Sequence, residues 1–373
     1  MADMKTLLRE LSVIVGFYYC TEQNVYAKEP ISFISICKKM LPKVPLIQYA
    51  QITKLLSFSA KQIQIINNGF NLSKAIIKKF EIDTIEEVSW YGFDTQKEEP
   101  YDISINNSKF SLKEDSFILE NMGLYKLLNC YTGSTYEKRH IFSDYARQEY
   151  EHWFKVIWTE LVSTLNESGT WLYNDTTKNK RSIIKLNKNN IQFRFYKNEI
   201  LCASSELPID CSLSIYENNT TAKIREEVFT RFINMNLKNN YQYNISKKMC
   251  ATVVAEALAK ELIDNLDYHA GLPRFLRIHN SEYYYAKTTK SGIEIYKVPS
   301  LSEFGHNIII ESIEASLPDK QANILTTIKN TKTGKTLVLR NECRFSHGQF
   351  NGTPEAKMYY EHGGSLLTIY EPI

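Results

Sequence analysis

The chain has 373 residues, of which 43% are hydrophobic and 12% aromatic, so it carries enough apolar surface for a sizeable folded core. This composition excludes an intrinsically disordered protein. The 45 basic residues nearly balance the 42 acidic ones, which excludes a strong overall field that would attract nucleic acid or a membrane surface. At roughly 100–200 residues per domain, the length predicts two domains, or one core with a large addition.

Seven cysteines, with no Cys-X-X-Cys pair, are scattered along the chain. An odd, scattered set favours reduced thiols in a cytoplasm over a disulfide framework or a zinc site.

No uninterrupted stretch approaches the ~18 apolar residues of a membrane-spanning helix, so we expect no membrane association. The apolar run at 11–20 follows Lys5 and Arg9, but no small-residue cleavage site comes after it. This favours a buried first helix over a signal peptide.

Up to about residue 165 the sequence is expected to be mostly helical, interrupted by one pair of strands. Apolar residues at helical spacing predict helices over 51–66 and 71–80, with a turn at 67–69 between them. A third predicted helix begins at a Ser143 cap and runs to Leu165 with a broad apolar stripe.

After residue 166 the composition changes to short segments rich in β-forming residues, interrupted by one helix over 249–266. The polar and basic segment 174–182 is predicted to be a loop and gives the best boundary along the chain. We therefore expect a helical core at 1–174 and a β-rich region at 175–373, which is either a second domain or an elaboration of the first. The predicted strands lie near 183–186, 191–196, 282–286, 293–296, 307–313 and 336–345.

Apolar and polar residues alternate on both sides of 106–108, which predicts a β-hairpin within the segment 98–115. With Asn107 and Ser108 as a two-residue loop, Asp102 lies opposite Lys113. This register sends four apolar side chains to a buried face and leaves the polar ones together on the other face. The buried four are Ile103, Ile105, Phe110 and Leu112, and the polar four are Asp102, Ser104, Ser111 and Lys113.

Directly opposed residues of such a hairpin lie about 4.5–5.5 Å apart at Cβ, so Asp102 and Lys113 are expected to meet. A carboxylate and an ammonium held together on a rigid sheet, with further acids nearby, can bind a hard divalent cation and orient a water molecule beside it. Hydrolysis of a phosphodiester needs this combination. The alternative is an ordinary cross-strand ion pair on a surface hairpin, and spacing alone leaves both interpretations open.

The polar residues of this hairpin resemble a known signature, that of the PD-(D/E)XK nuclease superfamily, in the variant with serine at the middle acidic position. The longer segment 111–124 and the segment 345–357 resemble regions of bacterial type II restriction endonucleases. The residues that carry the resemblance to the core signature are Pro100, Tyr101, Asp102, Ser111 and Lys113.

The resemblance implies a fold and a function. The fold would be α/β (α+β), with a mixed sheet flanked by helices, a catalytic nuclease core at 1–174 and a β-rich DNA-recognition region at 175–373. The function would be Mg²⁺-dependent hydrolysis of phosphodiester bonds in specific double-stranded DNA, as the nuclease of a restriction–modification system. The family also implies a cytoplasmic homodimer, because a symmetric target favours two-fold symmetry in the protein.

Carried over to this chain, the resemblance makes Asp102 the principal metal ligand and Lys113 the residue that orients or deprotonates the attacking water. Ser111 occupies the position where an Asp or Glu is more common, so the site lacks one negative charge. Some restriction enzymes of this fold recruit an acid from a following helix, and Glu120, seven residues beyond Lys113, is the first candidate for a second metal ligand. The other candidate acids are Glu10, Glu87, Glu114 and Asp115.

Two segments are candidates for DNA contacts. Lys180 and Arg181 belong to a basic run that can neutralise phosphates, although a solvated loop and strand edge explains the run equally well.

Near the C-terminus, four polar side chains in a glycine-punctuated segment have the groups to pair with base edges in the major groove. Residues 353–357 are then predicted to start a helix. The alternative for the segment 344–357 is a tight turn between a strand and a short helix. The four side chains are Arg344, His347, Gln349 and Asn351.

Two other functions stay open. A repair or recombination nuclease of the same superfamily would read the shape of DNA instead of its sequence. A non-catalytic DNA-binding or interaction protein would keep the Asp102 and Lys113 pair for structural reasons alone.

Overall fold

The computed structural model describes residues 4–22, 29–92, 100–113, 118–133, 141–267, 271–289, 292–316, 321–344, 350, 355–361, 364 and 366–373. In these residues the protein combines helices with three β-sheets, which confirms the predicted mixture of α and β structure. No helix within the described ranges is long and apolar enough to span a bilayer.

The longest helices are α1, α4, α7 and α11. The α-helices are α1 (Met4–Glu22), α2 (Pro30–Met40), α3 (Ala50–Thr53), α4 (Ala60–Lys79), α5 (Leu124–Thr132), α6 (Ile141–Tyr145), α7 (Arg147–Ser168), α8 (Leu213–Asn219), α9 (Ala222–Ile224), α10 (Thr230–Asn236), α11 (Tyr241–Asp264) and α12 (Leu272–Phe275). Shorter 3-10 turns lie at Leu46–Tyr49, Leu301–Glu303 and Leu366–Thr368, and a π-helical turn lies at Arg225–Phe229.

The strands form a six-stranded sheet of order β1-β2-β3-β9-β10-β15, a five-stranded sheet of order β11-β12-β13-β14-β4, and a four-stranded sheet of order β5-β6-β7-β8. The six-stranded sheet is mixed, because β3 and β9 are parallel whereas its other pairs are antiparallel. The strands are β1 (Val88–Trp90), β2 (Ile103–Ile105), β3 (Ser108–Lys113), β4 (Ile118–Gly123), β5 (Thr170–Asp175), β6 (Lys180–Asn187), β7 (Asn190–Lys197), β8 (Ile200–Pro208), β9 (Tyr283–Thr289), β10 (Gly292–Val298), β11 (Ile308–Ala315), β12 (Ala322–Asn330), β13 (Thr336–Arg344), β14 (Glu355–Tyr360) and β15 (Glu371–Pro372).

The six-stranded sheet contributes side chains to two hydrophobic cores. Ile103 and Phe110 pack into one core with α1 and α4. Tyr283 packs into the other, which contains α7, α11 and the two smaller sheets. The four apolar residues predicted to line the buried face of the hairpin are fully buried. At roughly 1.5–3 kcal/mol for each such side chain, this burial holds the hairpin firmly on the helices.

The predicted turn at 67–69 is wrong, because α4 continues through it as one helix. Gly69 lies against α1, and a Cβ atom at this position would be 1.9 Å from Ser12 Oγ. Ser73 Oγ also donates a hydrogen bond of 2.7 Å to the Val13 carbonyl of α1. Glycine therefore lets the two helices approach, and α4 begins well before this contact, at the Ser59 cap.

The third predicted helix is divided in two. Ser143 does not cap it but lies inside α6, where its hydroxyl accepts a hydrogen bond of 3.0 Å from Arg147 Nη1. Ala146 has non-helical dihedral angles (φ −139°, ψ 48°) and separates α6 from α7. The apolar stripe predicted for α7 is confirmed, since its large side chains are buried.

The predicted loop at 174–182 is a β-hairpin. Asn174 pairs with Arg181 and Asp175 with Lys180, and the Asp175 carboxylate accepts hydrogen bonds from the Thr177 hydroxyl and from the Lys178 backbone N–H. The polar residues therefore belong to a tight turn instead of a linker. The division into regions 1–174 and 175–373 stays a prediction, with its boundary inside this hairpin.

Most of the later predictions agree with the structure in type and differ at their ends. The predicted strands correspond to β6, β7, β9, β10, β11 and β13, and the predicted helix corresponds to α11. The predicted helix start at 353–357 is wrong from residue 355 onward, where β14 begins. β14 is held between β13 and β4 by backbone pairing, and this pairing overrides the local preference for a helix.

Candidate active site

The hairpin of β2 and β3 forms, but its register differs from the predicted one by two residues. Ile103 pairs with Phe110, so the two-residue loop is 106–107 and not 107–108. Continuing this register places Asp102 opposite Ser111, and the predicted direct pairing of Asp102 with Lys113 is wrong. Because side chains alternate with a period of two, a shift of two residues keeps Asp102, Ser111 and Lys113 on the same face.

Contacts from the preceding segment fix the position of the hairpin loop. The Asn106 side-chain amide donates to the Thr84 carbonyl at 3.0 Å, and its oxygen accepts from the backbone N–H groups of Glu86 and Glu87. Asn106 also has a positive φ of 50°, a conformation that asparagine adopts more readily than most residues. The loop thus lies where Asn106 meets residues 84–87, which the hairpin sequence alone does not specify.

Asp102 is held through one oxygen of its carboxylate. Its Oδ2 accepts hydrogen bonds from Lys113 Nζ at 3.2 Å, from the Leu112 backbone N–H at 2.6 Å and from the Ser111 hydroxyl at 3.4 Å. No residue in the described part of the chain donates to Oδ1. The Asp102 and Lys113 side chains are 17% and 23% exposed. The carboxylate is therefore fixed in place with its second oxygen available to a ligand.

A second carboxyl group reaches this region from α1. Glu10 is only 3% exposed, and its Oε2 accepts a hydrogen bond of 2.8 Å from the indole Nε1 of Trp90 in β1. Its Oε1 lies 3.8 Å from Arg9 Nη2. A Cβ atom at Gly92 would be 1.9 Å from Glu10 Oε2, so glycine at that position leaves room for the carboxyl group.

Glu10 lies within electrostatic reach of Asp102. The pKa of Glu10 is raised from 4.5 to about 7, first by burial and then by the negative charge of Asp102. The hydrogen bond from Trp90 and the charges of Arg9 and Lys113 oppose this rise. The Glu10 carboxyl group therefore keeps its proton to a higher pH than an exposed glutamate does. A bound cation would favour its ionised form.

The neighbouring strand adds a tyrosine and a lysine to the same region, and Arg277 lies within electrostatic reach of the tyrosine. β9 lies parallel to β3 and places Tyr285 beside Ser111 and Lys287 beside Lys113. Burial raises the pKa of the Tyr285 phenol, the charge of Arg277 lowers it, and the charge of Asp102 raises it. The Tyr285 hydroxyl therefore lies within electrostatic reach of both charged groups. Sequence reasoning gave no role to these residues, because the pairing of β3 with β9 joins segments far apart in the chain.

The other candidate acids fall in different places. Glu120 lies on β4, where its backbone pairs with Met358 in the five-stranded sheet, and a role for it as a metal ligand stays a prediction. Glu87 is exposed, and its carbonyl accepts a hydrogen bond from the Asn106 N–H. Glu114 and Asp115 lie outside the described residues. Glu10 is thus the candidate acid shown to lie within electrostatic reach of Asp102.

Among the described side chains of this region, the two carboxyl groups of Asp102 and Glu10 are the candidates to hold a metal ion. Among the residues with a described position, no three His, Cys, Asp or Glu side chains lie together. Two hard oxygen donors from Asp102 and Glu10, without soft ligands, suit Mg²⁺, which typically binds one or two carboxylates and keeps water or phosphate oxygens in its other positions.

The predicted DNA-contacting residues are not gathered at this site in the described structure. On β6, Lys180 Nζ lies 2.5 Å from Glu227 and Arg181 Nη2 lies 3.3 Å from Glu199. Arg344 is the last residue of β13, where its backbone pairs with that of Glu355. His347, Gln349 and Asn351 lie outside the described residues, so their predicted roles stay predictions.

Comparison of the chain with protein-family models, with curated proteins and with solved structures finds no match.

Proposed function

We propose that the protein is a metal-dependent endodeoxyribonuclease, and specifically a type II restriction endonuclease that hydrolyses phosphodiester bonds in specific double-stranded DNA with Mg²⁺. The observation that carries the proposal is the arrangement of Asp102, Lys113 and Glu10. One carboxylate has a free oxygen, a second carboxyl group carries a pKa raised to about 7, and an ammonium lies 3.2 Å from the first. Carboxylates that hold a metal ion, with an ammonium beside them, can promote the hydrolysis of a phosphodiester.

The sheet around these residues supports the PD-(D/E)XK fold that the hairpin resembles. An antiparallel run of β1, β2 and β3 is extended by the parallel strand β9, and α1 and α4 pack on one face. The resemblance implies a mixed sheet of this kind, flanked by helices. In this proposal, Ser111 keeps the middle position of the signature without a charge, and Glu10 supplies the negative charge that is missing.

The proposed metal site uses Asp102 Oδ1 and the Glu10 carboxylate. When bound, Mg²⁺ would stabilise negative charge on the phosphate and lower the pKa of a coordinated water molecule. The pKa of Glu10 is raised chiefly by burial and next by the charge of Asp102, and this second contribution supports the assignment, since two neighbouring acids without a cation disfavour each other's charge. With only two protein carboxylates, positions remain for water and for a phosphate oxygen.

Lys113 performs the remaining tasks in this proposal. Its ammonium is fixed by Asp102 and remains partly exposed, so it can donate a hydrogen bond to the attacking water and orient it. Its charge also stabilises the negative charge that develops on the phosphate during attack. The Leu112 N–H and the Ser111 hydroxyl hold the Asp102 carboxylate still while this happens.

The test is cleavage of supercoiled plasmid DNA by purified protein with Mg²⁺. The variants Asp102→Asn and Lys113→Met are expected to lose activity on the order of 100-fold or more, as for other groups that stabilise charge in a transition state. Asp83→Asn and Lys79→Gln remove the same charges from exposed positions outside the site and are expected to retain wild-type activity. Unchanged cleavage by both site variants would show that the site is wrong.

A second measurement separates the alternatives. Digestion of a phage genome is expected to give discrete bands, because a restriction endonuclease cuts only at its recognition sequence. A smear, or cleavage restricted to branched DNA, would instead identify a repair or recombination nuclease. Tight binding of duplex DNA without any cleavage, at every divalent metal tried, would identify a non-catalytic DNA-binding protein.

A further inference from the structure

A cavity of about 370 Å³ lies directly beside Lys113, between α1, α4 and the ends of β3 and β9. Its apolar floor includes Leu112, and its polar lining includes Arg9, Gln64 and Asn68. The volume falls within the range of about 300–1,000 Å³ that is typical of small-ligand sites. Because Lys113 also contacts Asp102, the cavity adjoins the candidate active site.

The cavity is positively charged. Arg9 and Lys113 both line it, and no carboxylate does so among the residues that the structure describes. The carboxyl group nearest to Arg9 belongs to Glu10, whose Oε1 is 3.8 Å from Nη2 and therefore beyond hydrogen-bonding distance. Arg9 Nε is buried and has no hydrogen-bond partner in the described structure. No hydrogen-bonded carboxylate therefore neutralises the Arg9 guanidinium in the described structure, so its charge would attract an anion that enters the cavity.

Two helices direct polar side chains into the cavity. Gln64 and Asn68 are four residues apart on α4, so they lie on the same face of the helix. Arg9 reaches the cavity from α1, which the contact between Gly69 and Ser12 brings close to α4. The lining thus includes a guanidinium and two side-chain amides from two helices, which are groups that can donate hydrogen bonds to an anion.

We propose that this cavity binds a phosphate group of the DNA backbone adjacent to the scissile phosphate, with Arg9 as its main ligand. The proposal rests on the proposed nuclease function and adds a subsite to it. Each strand of duplex DNA carries a phosphate about every 3.4 Å along the helix axis. A strand whose scissile phosphate docks at Asp102 therefore brings its next phosphate within reach of a cavity that shares Lys113. The planar guanidinium can hold two phosphate oxygens at once.

The test compares the wild type with Arg9→Gln, Asn68→Asp and Lys79→Gln. Arg9→Gln removes the proposed ligand, Asn68→Asp adds a repelling carboxylate to the cavity, and Lys79→Gln removes an exposed charge on α4 away from it. Binding of inorganic phosphate is measured by calorimetry without divalent ions. Binding of a short duplex is measured at several salt concentrations, with Asp102→Asn in every protein so that no cleavage occurs.

The wild type and Lys79→Gln are expected to bind phosphate equally. Arg9→Gln and Asn68→Asp are expected to bind it at least tenfold more weakly, with unchanged melting temperatures. The salt dependence of duplex binding should fall by about one phosphate contact in Arg9→Gln. Phosphate binding that does not depend on Arg9 would overturn the proposal. So would an Arg9-dependent phosphate site with unchanged duplex binding, which would indicate a free phosphate compound as the ligand.

Failure of the phosphate-subsite proposal is distinguishable from failure of the nuclease proposal. If no variant cleaves DNA but Arg9-dependent binding of phosphate and duplex persists, the subsite stands and catalysis is wrong. If the wild type cleaves DNA and Arg9→Gln cleaves it with the same KM and kcat, catalysis stands and the subsite is wrong.

Discussion

The indole Nε1 of Trp90 donates a hydrogen bond of 2.8 Å to Glu10 Oε2, across 80 residues of sequence. This bond connects α1 with the first strand of the six-stranded sheet and holds an acid that is almost fully buried. The two carboxyl groups of the candidate site therefore come from different elements, Glu10 from a helix and Asp102 from the hairpin. The geometry of the site depends on the docking of α1 as much as on the hairpin.

Replacing Glu10 with glutamine is expected to stabilise the protein above neutral pH. The pKa of Glu10 is raised from 4.5 to about 7, chiefly by burial, so the folded state binds this proton more tightly than the unfolded state does. The contribution of Glu10 to stability is thus greatest below about pH 4.5 and is lost as the pH rises through about 7. A shift of this size corresponds to roughly 3 kcal/mol.

Urea unfolding at pH 4.5 and pH 8 checks this expectation. The difference in unfolding free energy between Glu10→Gln and the wild type should move in favour of the variant by roughly 2–3 kcal/mol between the two pH values. Glutamine keeps an oxygen that can accept the Trp90 hydrogen bond, so the comparison isolates the charge. Asp102→Asn is the second variant to compare. It should reduce the pH dependence of the unfolding free energy, since the Asp102 charge contributes to the raised pKa of Glu10. If the unfolding free energies of Glu10→Gln and the wild type differ by the same amount at both pH values, the raised pKa of Glu10 is wrong.

Cleavage of DNA should increase with pH up to about pH 7. If Glu10 is a metal ligand, it must lose its proton before Mg²⁺ binds, and its pKa of about 7 sets the midpoint. We expect kcat/KM at low Mg²⁺ to rise about tenfold per pH unit below the midpoint and to level off above it. Saturating Mg²⁺ should move the midpoint to lower pH. A profile that is flat from pH 5.5 to 8.5 would exclude Glu10 from the metal site.

Gly92→Ala should disturb the site without touching Asp102 or Lys113. The new methyl group would lie 1.9 Å from Glu10 Oε2 and 2.7 Å from Trp90 Nε1, so the Glu10 carboxyl group must move. We expect Mg²⁺ to bind more weakly and cleavage to fall by about tenfold, with the fold retained. Isothermal calorimetry with Mg²⁺ and plasmid nicking measure the two effects. Wild-type Mg²⁺ affinity in this variant would indicate that Glu10 does not take part.

The hairpin shows what could be predicted from its sequence and what could not. Alternation of side chains with a period of two placed Asp102, Ser111 and Lys113 on one face, and this survives any shift of two residues in register. The register itself depends on Asn106, whose side chain is held by residues 84–87. Those contacts join separate segments of the chain, so alternation within the hairpin cannot report them.

The second acid shows the same limit. The sequence favours Glu120 for its closeness to Lys113 along the chain, and that role stays a prediction. The structure adds Glu10 from the first helix, which lies within electrostatic reach of Asp102. The sequence contained one signal for Glu10, because Arg9 and Glu10 lie within a helix whose neighbouring residues are nearly all apolar and buried. A charged pair inside such a helix is costly unless it has partners or a ligand. Gly69 was likewise interpreted as a helix stop, although it is a contact between helices.

Lys180→Met is expected to destabilise the protein and to have little effect on DNA affinity. Lys180 Nζ lies 2.5 Å from Glu227, a carboxylate whose side chain is 8% exposed, so removing the lysine leaves a mostly buried charge without its partner. We expect a loss of about 1–3 kcal/mol, below the value for a fully buried pair because Lys180 remains partly exposed. Thermal unfolding and duplex binding are measured together, with Lys185→Met as the exposed control on the same strand. A large loss of DNA affinity with unchanged stability would instead support the predicted phosphate contact.

Gly69→Ala is expected to destabilise the protein by about 1–3 kcal/mol, because its Cβ would lie 1.9 Å from Ser12 Oγ and 2.6 Å from Ser12 Cβ. The direction of the change in stability is informative, because helix propensity alone would make the alanine variant more stable by roughly 1 kcal/mol. Ser12→Gly removes the atoms in the way and should restore part of the loss in the double variant. A coupling energy near zero in this double-mutant cycle would show that α1 and α4 do not meet at these residues. Since α1 also carries Arg9 and Glu10, the double variant should recover DNA cleavage together with stability.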